Sequence, residues 1–123
     1  MIVNYTFGIH DFGAGGDALA IKPPVNYTWG ELIDVGVAVT ETFTADTTPA
    51  YVRIGTSTDA DAYAELNMGT AADTNYYNTL DDADALIVTE IPSSTQLEVA
   101  FVAPTGGTPA GAGYVNIIIE WFK

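Results

Sequence analysis

Alternation of apolar and polar residues, sustained from Gly30 to Phe43, constrains this chain more than any other feature. In that run, GELIDVGVAVTETF, Ile33, Val35, Val37, Val39 and Phe43 share one face. Asp34, Gly36, Ala38, Thr40 and Thr42 share the other. A period of two is that of a β-strand, whose successive side chains point to opposite faces. Glu41 interrupts the apolar row, so the strand is expected to leave the core near there. Near the C-terminus, YVNIIIEWF aligns Val115, Ile117, Ile119 and Trp121, opposite Tyr114, Asn116, Ile118 and Glu120. QLEVAFVA likewise aligns Leu97, Val99 and Phe101.

Shorter β-branched or apolar runs are IVNYTFG, ALAIK at Ala18–Lys22, YVRIG at Tyr51–Gly55, LNMGT at Leu66–Thr70 and ALIVTEI at Ala85–Ile91. Turn-forming clusters (FGAGGD, KPP, TADTTP and IPSST) separate them. Many short strands with frequent turns predict an all-β fold, an antiparallel β-sandwich over residues 1–123 as one domain. The segment PTGGTPAGAG, Pro104–Gly113, is too rich in Gly and Pro for a helix or strand. Its flanking runs predict an antiparallel hairpin with a long tip, a candidate contact element. One short helix is expected over Thr58–Leu66, where Thr58 and Asp61 resemble a capping box and Ala60, Ala62 and Ala64 favour helix.

Charge narrows the choice of partners. Sixteen carboxylates face three bases, Lys22, Arg53 and Lys123, for a formal net charge of −13. Binding nucleic acid or anionic lipid needs Lys and Arg to displace counterions, so neither is an expected partner. Disorder is not expected either, since 48% of the residues are hydrophobic. The N-terminal MIVNYTFGIHDF has no basic stretch and no apolar run long enough for a signal peptide. The expectation is a soluble, unprocessed chain, which makes the Asn-Tyr-Thr triplets at Asn4 and Asn26 chance matches to the glycosylation pattern. With no cysteine, disulfides and thiolate metal sites are excluded.

The residues for catalysis are sparse. His10 is the one histidine, and its neighbour Asp11 would point to the opposite face of a strand. Ser57, Ser93 and Ser94 lack a nucleophile-elbow setting. The Gly-rich stretches have neither a βαβ unit nor a P-loop lysine around them. The chain therefore reads as a non-enzyme without cofactor. Two acidic runs offer oxygens to calcium: Asp59, Asp61 and Glu65 at alternate positions, and Asp81, Asp82 and Asp84. Neither completes an EF-hand loop, and a solvated turn accounts for both. Aromatic residues in polar surroundings are typical interface anchors. Trp29, Tyr76 and Tyr77 are such candidates, and Gly106, Gly107 and Pro109 in the long loop are candidates for partner contact.

Two segments carry a resemblance. TPAYVRIGTSTDADAYAELNMGTA, Thr48–Ala71, and GAGYVNIIIEWF, Gly111–Phe122, resemble small virion structural proteins of tailed bacteriophages. The resemblance implies a jelly-roll-like sandwich that decorates or cements the outer surface of a capsid after synthesis in the host cytoplasm. It also implies a trimer bound to the major capsid protein, and assigns no residue roles. A phage tail, fibre or receptor-binding domain and a carbohydrate-binding module are the alternative readings.

Overall fold

The computed structural model describes residues 1–72, 75–92 and 96–123. Its strands are β1 (Ile2–Thr6), β2 (His10–Asp11), β3 (Asp17–Ile21), β4 (Trp29–Thr44) and β5 (Tyr51–Gly55). They continue as β6 (Ala64–Asn67), β7 (Tyr76–Asn78), β8 (Glu90–Pro92), β9 (Leu97–Val102) and β10 (Ala110–Phe122). Among the described residues the only helical element is a 3-10 turn at Phe12–Ala14.

Two antiparallel sheets form. The larger has the order β1-β10-β4-β7, with β2 also on β10 and β8 also on β4. The smaller has the order β3-β9-β5-β6. The pairings nest: β1 with β10, β3 with β9, β4 with β7 and β8, β5 with β6. A chain folded back on itself in this way, then rolled so that β10 meets β4 and β9 meets β5, is a jelly roll. The expected all-β sandwich is therefore the fold observed.

The alternation read in the sequence makes the core. Val115, Ile117, Ile119 and Trp121 of β10 are buried, as are Leu97, Val99 and Phe101 of β9. Phe12 fills the space between the sheets, 5.2 Å from the Phe43 ring and 5.5 Å from that of Phe101. The Trp121 indole donates to Tyr5 Oη at 3.0 Å, so its polar edge is satisfied beside the core.

Several local expectations are corrected. Ile33 leaves the apolar row: Asp34 pairs with Ile118 while Leu32 pairs with Ile119, so Ile33 is the extra residue of a β-bulge. Leu32 is buried in its place, and Ile33 is 41% exposed. β4 leaves the core over Thr40, Glu41 and Thr42, which are exposed, but only for those residues. Two further register shifts there, between Ala110 and Ala112 and between Ala112 and Gly113 of β10, return Phe43 to the interior.

The runs flanking Pro104–Gly113 do not form a hairpin, because β9 and β10 belong to opposite sheets. Each has a buried face, and the sandwich is what brings the two faces together. Ala110–Gly113 is itself part of β10, and Thr105 is bridged to Thr48.

The helix over Thr58–Leu66 is absent. Ala64, Leu66 and Met68 alternate inward, all fully buried, and β6 pairs Ala64 with Ile54 and Glu65 with Arg53. A helix of two turns is marginal by itself, and strand pairing here buries three side chains that it would not. Only the last part of Ala85–Ile91 is strand, in β8, although Ala85 is buried and accepts from the Glu65 amide at 2.8 Å.

Candidate interaction surface

Each edge of the larger sheet is built by two short strands laid end to end. At one edge, β7 pairs with Gly36–Ala38 of β4 and β8 pairs with Trp29–Glu31. The bulged residues Ile33 and Asp34 lie between these two stretches. Asp34 ties the edge together: its carboxylate accepts from Thr79 Oγ1 at 2.8 Å, Asn78 Nδ2 at 3.3 Å and Tyr76 Oη at 3.4 Å. The Leu32 amide donates to Thr89 O at 2.7 Å, and just before it the chain turns toward β6, where the Ile87 and Val88 amides donate to Tyr63 O at 2.9 and 3.2 Å.

Large apolar side chains remain exposed in the segment joining β7 to β8. Leu80, next to Thr79, is 91% exposed, and Ile87 and Val88 are about half exposed. Residues of this kind are singly unremarkable on a surface; three in one connecting segment offer apolar contacts to a neighbour.

Tyr76 and Tyr77 point to opposite faces, as neighbours in a strand must. Tyr76 lies on the outer face, and burial, the Asp34 charge and the bond to Asp34 push its hydroxyl up to about 12. Tyr77 packs against the core and donates to Asn67 O at 2.8 Å. Its pKa is raised too, by burial first and then by the charges of Asp82 and Asp81.

Trp29, at the far end of β4, stacks on Phe122 with ring centroids 4.4 Å apart. It stands nine residues from the Ala38 that pairs with Tyr76, about 30 Å along the strand. The two aromatics therefore do not form one platform.

The long loop is held rather than free. Gly106 and Gly107 adopt φ of 87° and 63°, and a Cβ on either would collide with Thr47 or Asp46. Pro109 is half-buried and precedes β10.

The acidic cluster serves its own turn. Asp81 accepts from the Asn78 amide at 3.0 Å, and Asp82 accepts from the amides of Asn67 at 2.9 Å and Asp84 at 3.3 Å. Among the described residues no three acidic or histidine side chains converge to hold a metal ion. His10 Nε2 lies 2.8 Å from Gly15 O, with the ring edge-on to Phe12. Ser93 and Ser94 lie outside the described residues.

Of the features of this surface, the bulge and the Asp34 hub have no signature in the sequence. The alternation of Ala64, Leu66 and Met68 was the available sign that β6, and with it the loop covering its edge, would form. No family model, curated protein or solved structure matches this chain.

Proposed function

We propose that this protein is a non-catalytic structural component of a phage virion, a decoration or cement protein that binds the major capsid protein and stabilises the head. The observation that carries this reading is the exposure of Leu80, Ile87 and Val88 in the segment joining β7 to β8, and of Ile33 at the bulge of β4. Around it the sandwich is closed and its core is filled from both sheets. Such a molecule offers edges and apolar side chains to a neighbour, which is what adhesion requires. Jelly rolls are a recurrent architecture of viral capsid domains, and the resemblance of Thr48–Ala71 and Gly111–Phe122 points the same way. The fold alone does not carry the reading, since jelly rolls host many functions.

A carbohydrate-binding module is the second reading, favoured by the exposed Trp29 ring. Its weakness is that Phe122 covers one face of that ring and no second aromatic of the candidate set stands beside it.

The test is the mass of the protein in solution by light scattering, alone and with bare phage capsid shells. A discrete trimer that sediments with shells, and fails to do so as Leu80→Asp/Val88→Asp, supports the proposal. A monomer that stays in the supernatant overturns it, and binding on a glycan array would favour the second reading.

A further inference from the structure

The outer face of the larger sheet carries three glutamates in one row. Glu120 of β10 pairs with Glu31 of β4, and Glu31 pairs with Glu90 of β8. Directly opposed residues in neighbouring strands have Cα atoms only about 4.5–5.5 Å apart, and like charges placed so oppose pairing. The N-terminal ammonium, beside Ile2, donates to Trp121 O at 2.9 Å. Among the described residues none of the three carboxylates has a hydrogen bond or ion pair; the one ion pair, Arg53–Glu65, lies on the smaller sheet. Lys123, the nearest base in sequence, sits over the Tyr27 ring at 5.7 Å.

The next row of the same face is Phe122, Trp29 and Pro92, in the same cross-strand order. The Phe122–Trp29 stack thus borders a carboxylate row, and the exposed Ile2, paired with Glu120, flanks it. An aromatic ring beside carboxylates is the chemistry that recognises a guanidinium, through its face and through paired hydrogen bonds.

We propose that this end of the outer face docks a basic protein segment bearing arginine, with guanidinium groups against Trp29 and the Glu120–Glu31–Glu90 row. Charge complementarity selects the occupant. A second copy of this chain would bring sixteen carboxylates and only three bases to the same row. Nucleic acid would bring phosphates to it. A divalent cation needs converging oxygens, and these carboxylates stand side by side on separate strands. The row borders the exposed Ile33, two residues from Glu31 along β4, and the inference holds whether or not the partner is a capsid protein.

The probe is a doubly capped Arg-Gly-Arg-Gly-Arg peptide at low salt, followed by Trp29 fluorescence; Trp121 is buried and silent to it. The expected result is saturable binding, about two- to fivefold weaker for the lysine counterpart, which stacks less well on an indole. Glu31→Gln/Glu90→Gln should weaken binding about fivefold or more and raise the thermal midpoint by about 2–4 °C, because repulsion is relieved. Asp59→Asn/Glu98→Gln removes the same charge from the smaller sheet and its turn, and should leave binding unchanged. Equal weakening by both pairs would reduce the effect to net charge and overturn the proposal. So would the absence of saturable binding, or a lower midpoint in the glutamine pair, which would assign the glutamates to the fold.

Discussion

Tyr76 lies across Gly36 on the outer face of the larger sheet, and its hydroxyl reaches Asp34 Oδ2 at 3.4 Å. Tyr76 pairs with Ala38 on β4, so its ring crosses the strand diagonally to get there. A side chain at Gly36 would collide with the ring, so the glycine is what permits the crossing. The aromatic ring in turn covers a residue with nothing of its own to pack. With Asn78 and Thr79 also donating to Asp34, a three-residue strand gains an anchor that its few ladder bonds would not supply.

Asp34→Ala should therefore lower stability more than its position on the outer face suggests. Three donors lose a charged acceptor; because all three remain near solvent, the expected cost is about 1–2 kcal/mol by urea unfolding. Asp34→Asn should fall between the two, since its amide oxygen still accepts. An unchanged urea midpoint for Asp34→Ala would mean that β7 is held by its pairing to β4 alone.

Alkaline pH should loosen the same contact. Tyr76 keeps its proton up to about 12 in the folded chain, against 10.0 for an unperturbed tyrosine. The folded state binds the proton more tightly, so this contribution is complete below pH 10 and is lost as pH rises toward about 12. Tyr76→Phe cannot ionise, and its unfolding free energy should fall less steeply over that window. Tyr77, whose pKa is also raised, leaves a residual slope of the same sign. Urea unfolding at successive pH values, with tyrosinate absorbance in parallel, gives both quantities. Identical slopes for wild type and Tyr76→Phe would assign the dependence to other groups.

The bulge at Ile33 makes neighbouring residues unequal. Leu32→Ala should cost about 2–5 kcal/mol, as for other core truncations, whereas Ile33→Ala should stay within about 0.5 kcal/mol. Thermal or urea melts of the two variants decide it. The reverse ranking would place Ile33 in the core and remove the bulge.

Much of the fold was legible because it is local. Val115, Ile117, Ile119 and Trp121 share a face in any extended conformation, and so do Leu97, Val99 and Phe101. Their burial needed only the existence of a core. The bulge was not legible, because it depends on β10: an extra residue in β4 is defined only relative to the strand opposite it. The same holds for β6. Thr58–Leu66 contains good helix formers, yet Ile54 and Arg53 offer partners across a turn, and pairing with burial outweighs weak local propensity.

The candidate surface was less legible still. Trp29 and Tyr76 could be singled out as aromatics in polar surroundings. Their separation of about 30 Å, and the stacking of Trp29 on Phe122, follow from strand register. Glu31, Glu90 and Glu120 are scattered in sequence and become a row only when three strands align.

By itself the sequence determined that this chain folds as strands, which faces of the longest ones are apolar, and that its surface is strongly acidic. Each of these depends on residue type and a spacing of two, quantities carried along the chain. The tertiary structure alone decided that β9 and β10 lie in opposite sheets, that Asp34 gathers the β7 edge and that three glutamates stand side by side. These are relations between distant segments, set by which apolar faces can close over one another, and no local spacing encodes them.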